Sequence, residues 1–568
     1  MSRKSPKRPG RREQSLTHSA PEDSSAPALI AWLRKHSLWV FLLLTAVASA
    51  RIVATYQVFN HTIDEPAHVA CGMEWLSKGV YRYETQHPPL ARVAAALGPY
   101  LEHIRTFGVT HESAVGMYQE GALILYSGGH YDRNLALARL GILPFFWIAC
   151  LVVYLWARRC WAEPVPSLAV LLFTFLPPVL AHAGLATTDM ALTAFTGASF
   201  LAALYWLDRP NAARSALFGA ATGLAVLSKF TALPFIPVAM AAALLWYFVA
   251  ERPAFRAVLA AARKLFLPFL LAVAVGVVVI WAGYRFSFGS VPFTTLRLPA
   301  PELYDGIRAT LEHNRSGHPA YLLGARSDFG WWYYYPVVLA VKTPLPFLAL
   351  LLFGAVEVVR QWRNRGLRAA AAFSGAILLF CLFSRINIGV RHILPVYIGF
   401  SIVAGAGAAR LAELWRPAAW ARWTLGLLLF WMAATSAFSH PDYLPYFNAL
   451  AGDEPERILV DSDLDWGQDM KRLGRRLQEV GARQVTFNPF IIAYLEAVHG
   501  FPPIQPMDPQ YPSPGWNAVS LTVLKSVRLG LNKDHPEIRL WPDSIKPTER
   551  IGKGVLLWYF PPGRGGSR

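Results

Sequence analysis

Long apolar segments alternate with short polar connections along most of the chain. A membrane-spanning helix needs about 20 mostly apolar residues. Several of the apolar segments contain Pro or Gly, which membrane helices tolerate. The pattern predicts an α-helical polytopic membrane protein with about 11 transmembrane helices, at 37–57, 137–157, 164–182, 189–207, 214–228, 231–249, 265–284, 336–357, 369–385, 394–412 and 423–440.

Basic residues in the short connections predict the orientation of these helices. Cytoplasmic loops of membrane proteins are enriched in Lys and Arg. The N-terminal tail, residues 1–35, is basic, and alternation from a cytoplasmic tail makes five further basic loops cytoplasmic. Residues 46–50 resemble a signal-peptidase site, but the apolar run continues through 52–54, which favours an uncleaved first helix. We therefore predict a disordered cytoplasmic tail and an extracytoplasmic C-terminal region over 441–568.

Two stretches between the predicted spans, 58–136 and 285–335, are long enough to form outer loops. In the first, Pro at the start of each apolar stretch predicts helices over 66–76 and 90–101. The apolar positions of 66–76 recur with helical spacing, which predicts a helix lying on the membrane surface.

The C-terminal region has a composition closer to that of a soluble protein. Short runs rich in β-branched and aromatic residues predict strands, and the pattern of 468–480 predicts a helix. We expect a small α/β domain with strands at 458–460, 484–487, 519–523 and 555–560.

Composition agrees with a membrane protein. Hydrophobic residues are 54% and charged residues 16%, whereas about 25% of a soluble protein is charged. The mean hydropathy is +0.31. The net charge of +18 is explained by the basic cytoplasmic loops, so we predict no nucleic-acid partner. The four cysteines have neither zinc nor disulfide-framework spacing and receive no role.

The unusual ionisable residues all fall at the predicted outer face. Charged groups inside a membrane are costly, so they are usually functional or paired. Each has a structural alternative: Lys342 could reach the interface, Asp189 could be a helix N-cap, and the arginines could be interfacial anchors. Together they suggest an acid/base pair beside an anion site formed by Asp64, Glu65, His87, Asp189, Lys229, Lys342, Arg385, Arg391 and His392.

This combination suits the transfer of a group from a phosphate-bearing donor. A carboxylate can take the proton from an attacking hydroxyl. Lys and Arg can hold a phosphate and stabilise the charge on a leaving group. Because the outer compartment normally lacks nucleotide sugars, we expect a lipid-linked donor that comes from the bilayer.

Several short motifs resemble one family. Residues 62–68 (TIDEPAH) and 87–92 (HPPLAR) resemble the first-loop signature of GT-C glycosyltransferases of the protein O-mannosyltransferase type, glycosyltransferase family 39. Residues 186–189 and 227–231 resemble its second acidic site and its Lys-bearing turn. Later segments, 330–336 and 391–397, are also similar to the lipid A aminoarabinose transferase, and 443–448 and 461–469 to uncharacterised bacterial members.

The resemblance implies a GT-C transmembrane catalytic domain over 36–440, in a bacterial inner membrane. It implies inverting sugar transfer from a polyprenyl-phosphate donor to a hydroxyl of a protein, lipid or glycan acceptor. Asp64 would be the general base, with Glu65 and Asp189 orienting substrate or donor. The implied donor-binding residues are His87, Lys229, Lys342, Arg385, Arg391 and His392.

Three alternatives stay open. The family members differ in metal use, so no metal ligand is assigned and a divalent metal remains an open question. The acidic run 461–469 resembles a calcium loop, but Gly stands at the seventh position and Arg472 at the twelfth; these departures favour the alternative, a polar turn that caps the helix predicted at 468–480. A transporter of a lipid-linked or anionic substrate would also contain charged residues among apolar helices, although it should show repeated halves and a midplane site.

Overall fold

Helices form at every one of the eleven apolar segments that the hydrophobic pattern predicts. The computed structural model describes residues 28–109, 115–414, 419–508, 510–534 and 540–561. The helices of the bundle and its outer loops are α1 Ala28–Ala54, α2 Glu65–Lys78, α3 Pro89–Leu101, α4 Gly116–Tyr126, α5 Tyr131–Leu140, α6 Leu143–Cys160, α7 Val165–Thr174, α8 Pro177–Ala183, α9 Asp189–Asp208, α10 Ala212–Ser228, α11 Ala232–Glu251, α12 Phe255–Gly283, α13 Pro301–Ser316, α14 Tyr334–Lys342, α15 Leu345–Arg360, α16 Arg365–Cys381, α17 Val396–Leu414 and α18 Ala419–Phe438.

Six helical segments of the described chain are long and apolar enough to cross a membrane. They are α1, α5 with α6, α9, α11, α12 and α17, and two bent pairs, α7 with α8 and α14 with α15, raise the number to eight. The other predicted spans, α10, α16 and α18, are shorter or less apolar helices that pack in the same bundle. The chain is therefore a multi-pass membrane protein.

The predicted span 336–357 is broken in its first half. α14 and α15 meet at an angle of 117°. Thr343, which precedes Pro344, has extended backbone angles, as expected because a proline disfavours the α conformation of the residue before it. Lys342 therefore ends a short helix instead of lying inside a continuous span.

The first outer loop is a packed helical layer. The predicted helices 66–76 and 90–101 correspond to α2 and α3, but α2 does not lie on the membrane surface, because its first ten residues are buried. α2 packs between α3 and α4. A Cβ at Gly72 would lie 1.9 Å from the carbonyl oxygen of Arg92, and one at Gly121 would lie 1.9 Å from that of Pro66. The absence of side chains at these two glycines permits this close packing.

The predicted boundary of the N-terminal tail is wrong. Residues 28–35, which the basic character of the tail assigned to a disordered segment, are the first turns of α1. Residues 1–27 lie outside the described residues.

The C-terminal region contains a five-stranded mixed sheet of order β6-β5-β7-β9-β8. β5 is parallel to β6 and β7, whereas β9 is antiparallel to β7 and β8. The predicted helix 468–480 is confirmed as α19. The elements of this region are α19 Met470–Glu479, α20 Leu495–Val498, α21 Leu521–Asp534, α22 Trp541–Ser544, β5 Val485–Thr486, β6 Ile504–Gln505, β7 Gly515–Ser520, β8 Glu549–Ile551 and β9 Val555–Phe560; two hairpins in the second outer loop supply β1 Phe288–Ser290, β2 Arg297–Pro299, β3 Ala320–Leu322 and β4 Ala325–Ser327.

Two of the four predicted strands are confirmed and two need correction. The strands 484–487 and 555–560 correspond to β5 and β9. The apolar run 458–460 is buried without joining the sheet, because a 3₁₀ turn stands on each side of it. The fourth, 519–523, straddles a junction, since β7 ends at Ser520 and α21 begins at the next residue.

The basic loops meet at one end of the bundle. Arg159, at the end of α6, pairs with Asp208 at the end of α9 at 2.7 Å, and Arg368 of α16 pairs with Glu251 at the end of α11 at 3.3 Å. Asp189 begins α9 at the opposite end. The basic loops and the start of α9 thus lie at opposite ends of the bundle, and the orientation of the chain in the membrane stays a prediction.

Cysteine labelling tests the orientation. We expect a membrane-impermeant thiol reagent to label Tyr511→Cys in intact cells and to label Gln361→Cys only after permeabilisation. Both positions are exposed in the structure, and the background should lack Cys160, which is partly exposed. Labelling of the Gln361→Cys protein in intact cells would contradict the orientation.

Candidate functional site

Two ion pairs lie together at the end of the bundle opposite the basic loops. Arg391 Nη1 is 2.8 Å from Asp64 Oδ2. Lys229 Nζ is 2.6 Å from Asp189 Oδ1. Arg391 also interacts electrostatically with Asp189, so the two pairs form a single charged cluster. The four residues come from four separate segments of the chain.

Local helix geometry explains where each of the four side chains lies. Asp64 is the N-cap residue of α2 and Asp189 is the first residue of α9, positions where the helix dipole favours a negative charge. Lys229 directly follows α10. Arg391 lies in a 3₁₀ turn, Val390–Ile393, before α17. The charges therefore stand at helix ends.

The four side chains differ in accessibility. Asp64 is 27% exposed, Lys229 10%, Arg391 9% and Asp189 1%. Within the described chain, Asp64 Oδ1 accepts no hydrogen bond, and the Lys229 ammonium donates only to Asp189. The cluster thus offers one accessible carboxylate oxygen and spare N–H donors to a ligand.

Two histidines beside the cluster are held in the neutral form. Burial together with Lys229 and Arg391 keeps the pKa of His392 well below its usual value. Burial, His313 and Arg391 lower the pKa of His318 to about 4. Both imidazoles are therefore uncharged at neutral pH, and the positive charge of the cluster resides on Lys229 and Arg391.

Asp461 of the C-terminal region also faces the cluster. Burial raises the pKa of its carboxyl to about 6, while Arg391 opposes that increase. Its backbone has φ = 57°, in the left-handed region that non-glycine residues seldom adopt. The C-terminal region therefore reaches the same site as the bundle.

His87 belongs to a second group that flanks the cluster. Its Nδ1 is 3.1 Å from Glu84 Oε2, and Glu84 also pairs with Arg92. Although burial opposes ionisation, Arg92 and His87 hold the pKa of Glu84 well below its usual range. Burial lowers the pKa of the His87 imidazole, and Arg92 and Lys229 lower it further. The structure thus places His87 at the edge of the site, engaged with Glu84.

The Glu65 side chain is buried and engaged by other groups of the chain, and its catalytic role stays a prediction. Its carboxylate is fully buried and accepts hydrogen bonds from Arg139 Nε at 2.8 Å and Nη2 at 2.9 Å. The backbone N–H groups of Thr62 and Ala186 donate to it at 2.7 and 2.9 Å. Glu65 therefore ties the segment before Asp64 to the segment before Asp189.

The structure also separates Lys342 from the cluster. Its Nζ is buried, donates to the carbonyl oxygens of Leu444 at 2.8 Å and Asp463 at 2.5 Å, and lies 4.2 Å from the ring centre of Phe447. These contacts are all to the C-terminal region, and the expected phosphate contact of Lys342 stays a prediction.

Arg385 lies outside the ion-pair cluster. It is exposed, donates to the carbonyl oxygen of Arg315 at 3.3 Å and stacks on Phe329 at 5.5 Å. These contacts attach it to the second outer loop.

Arg139 and Trp466 are among the residues that sequence reasoning missed. Arg139 stands two residues inside a predicted span, a position that could have marked it as paired. Trp466 lies in the acidic run, where the sequence pattern draws attention to the aspartates instead. Its ring centre is 4.2 Å from the guanidinium carbon of Arg391.

The carboxylates of the acidic run have separate partners in the structure. Asp463 accepts from Val390 N–H, Asp465 from Thr522 N–H, and Asp469 pairs with Arg472. No group of three His, Cys, Asp or Glu side chains in the described ranges is arranged to hold a metal ion.

The chain is similar to known proteins in structure but not in sequence. No protein-family profile and no curated protein sequence matches the chain. The crystal structure of ArnT from Cupriavidus metallidurans bound to undecaprenyl phosphate superposes with a TM-score of 0.50 at 14% identity, covering 91% of this chain and 98% of that one. The apo state of the same protein has a TM-score of 0.48 at 15% identity, covering 92% of this chain and 98% of that one. The apo oligosaccharyltransferase of Archaeoglobus fulgidus has a TM-score of 0.43 at 13% identity, covering 83% of this chain and 65% of that one. The chain therefore has the fold of ArnT from Cupriavidus metallidurans, with a small C-terminal sheet region.

Proposed function

We propose that this protein is a membrane glycosyltransferase that moves a sugar from a polyprenyl-phosphate donor to a hydroxyl acceptor on the extracytoplasmic face. The observation that supports it most is the Asp64–Arg391 pair, in which an accessible carboxylate touches a buried guanidinium at 2.8 Å. A base for the acceptor and a cation for the donor phosphate are thereby placed side by side.

The proposed reaction is a single displacement at the anomeric carbon. The acceptor oxygen attacks that carbon while Asp64 takes the hydroxyl proton, which forms the new glycosidic bond. The bond between the anomeric carbon and the phosphate oxygen breaks, and the oxygen leaves with the electron pair. Attack opposite the leaving group inverts the configuration. Asp64 Oδ1 is the oxygen that suits proton transfer, since Oδ2 accepts from Arg391.

Arg391 and Lys229 are the proposed ligands of the donor phosphate. A guanidinium can give two parallel hydrogen bonds to phosphate oxygens, and an ammonium has three donors, of which Lys229 uses one on Asp189 in the described chain. Their burial strengthens the attraction to the charge that develops on the leaving phosphate. The undecaprenyl phosphate bound to ArnT, whose fold is similar, supports a donor of this class.

The acceptor is left at the level of its chemistry, a hydroxyl group of a protein, lipid or glycan. The transporter alternative would place the charged site near the membrane midplane. In this chain Asp189 and Lys229 adjoin the ends of α9 and α10, which favours chemistry at the surface.

Replacing Arg391 with Ala should weaken donor binding and transfer together. The guanidinium carries more N–H donors than any other group of the cluster. Because hydrogen bonds to charged groups contribute about 1.5–3 kcal/mol each, we expect donor affinity to fall by roughly 10–100-fold. The measurements are equilibrium binding of undecaprenyl phosphate to the purified protein and transfer from a radiolabelled polyprenyl-phosphate sugar.

Arg326→Ala is the matched control. Arg326 also pairs with an aspartate, Asp328, at 3.2 Å, but both side chains are exposed. We expect its donor affinity to equal that of the wild type. Unchanged affinity in the Arg391→Ala protein would refute the phosphate role.

A further inference from the structure

The C-terminal region contacts Arg391 and the backbone just before Asp64 through a single turn, residues 461–469, here named the acidic turn. The turn is anchored to the C-terminal sheet. Asp465 accepts from the hydroxyl of Ser520, at the end of β7, and from the N–H of Thr522 at 3.2 Å. A Cβ at Gly552 would lie 2.5 Å from the Asp469 carboxylate, so the turn also lies directly against the hairpin of β8 and β9.

One half of the acidic turn holds the segment that precedes Arg391. The N–H of Val390 donates to Asp463 Oδ1 at 3.1 Å, and the hydroxyl of Ser462 donates to the carbonyl of Ile388 at 2.9 Å. Gly389, between them, has φ = 90°, and a Cβ there would lie 2.9 Å from Asp463 Oδ2. The backbone of residues 388–390 is therefore in direct contact with the turn.

The other half holds the segment that precedes Asp64. The N–H of Ile63 donates to the carbonyl of Trp466 at 3.2 Å. Asn60 Nδ2 donates to the carbonyl of Gly467 at 2.7 Å, and its Oδ1 accepts from the N–H of Met470 at 2.7 Å. Asn60 is fully buried, so these hydrogen bonds are shielded from water.

Trp466 joins the two halves. Its carbonyl holds Ile63, and its ring lies 4.2 Å from the Arg391 guanidinium carbon. The side chain is 1% exposed. A buried aromatic face attracts a cation and limits its position. The guanidinium is thus confined between the Trp466 ring and the Asp64 carboxylate.

We propose that the acidic turn is the positioning element of the catalytic pair. Asp64 and Arg391 are 327 residues apart in the chain, and the turn contacts the backbone beside each of them. A displacement of about 1 Å at a reacting group can cost roughly 10²-fold in rate. The C-terminal region therefore belongs to the catalytic unit, an inference that rests on the proposed glycosyltransferase function.

The test separates positioning from binding. In the full-length protein, Trp466→Ala should lower kcat by roughly 10²-fold while affinity for undecaprenyl phosphate stays within about threefold, since the guanidinium remains. Trp466→Phe keeps an aromatic face and should restore most of kcat. In the same way, Asp463→Ala removes the oxygen that accepts from Val390 N–H, so it should lower kcat. Asp463→Asn keeps an oxygen that can accept this hydrogen bond, so its kcat should stay near that of the wild type.

Asp543→Ala is the control, because Asp543 lies in the same region but pairs with the exposed Arg528 at 3.2 Å. Its kcat should equal that of the wild type. The proposal is wrong if the Trp466→Ala protein has a normal kcat, or if the Trp466→Phe protein has a kcat as low as that of Trp466→Ala. If Trp466→Ala fails to fold, equal kcat values of Asp463→Ala and Asp463→Asn would contradict the proposal instead. A wild-type protein without transfer activity would instead refute the proposed function.

Discussion

Replacing Asp64 with Asn should lower turnover by roughly 10²–10⁴-fold, which is the usual contribution of a general base and corresponds to about 3–5 kcal/mol at about 1.4 kcal/mol per tenfold. Asn keeps the size of the side chain and can still accept a hydrogen bond from Arg391, but it cannot take a proton. Affinity for undecaprenyl phosphate should be unchanged or slightly higher, because Arg391 loses a competing negative charge. The measurement is single-turnover transfer beside equilibrium donor binding.

Asp328→Asn is the matched control for this experiment. Asp328 pairs with Arg326 in the second outer loop and is 51% exposed, so its neutralisation should leave turnover unchanged. Near-normal turnover of Asp64→Asn would exclude Asp64 as the base. Asp189 would then be the next candidate, since the buried Glu65 accepts hydrogen bonds on both of its oxygens.

Replacing Glu65 with Gln should destabilise the folded protein by about 3–5 kcal/mol, because it leaves a buried charge without its partner. Arg139 is 1% exposed and Glu65 0%, so water cannot compensate for the lost carboxylate. We expect a large decrease in the free energy of unfolding in detergent. The double variant Glu65→Gln/Arg139→Met, which removes both charges, should be less affected than the single one.

An exposed ion pair on α5, the helix that also carries Arg139, is the matched control for this stability measurement. Arg133 of α5 lies 2.7 Å from Glu102, with side chains 61% and 37% exposed. Exposed pairs contribute about 0–1 kcal/mol, so Arg133→Ala should unfold almost as the wild type does. If the Glu65→Gln and Arg133→Ala proteins have equal free energies of unfolding, Glu65 is not a structural anchor. A catalytic role for Glu65 would then be the better interpretation.

The apolar pattern and the helix-end charges were predictable from sequence for a physical reason. The hydrophobic length of a membrane helix and the polarity of its ends are local properties of the chain. Helices therefore formed at all eleven predicted segments. The four charged residues that stand at helix ends also meet in one cluster: Asp64, Asp189, Lys229 and Arg391. The family resemblance of the surrounding motifs pointed to the same fold.

The partner of each charge was not predictable, because it depends on which way a side chain points after packing. Asp64 and Glu65 are neighbours in sequence, yet one faces Arg391 and the other Arg139. Lys342 has the same charge as Lys229, but the bend between α14 and α15 directs it to the carbonyls of the C-terminal region. Long-range packing thus separates an accessible carboxylate from a structural one.

By itself, the sequence determined a multi-pass helical membrane protein, the end of the bundle at which its unusual charges meet, and a C-terminal region with two recognisable strands. Only the tertiary structure decided that α2 is buried and that the acidic turn touches both sides of the Asp64–Arg391 pair. Such contacts join residues hundreds of positions apart, and hydrophobic periodicity carries no information about them. Which surfaces meet follows from shape, from glycines such as Gly72 that permit close approach, and from the requirement that buried charges find partners.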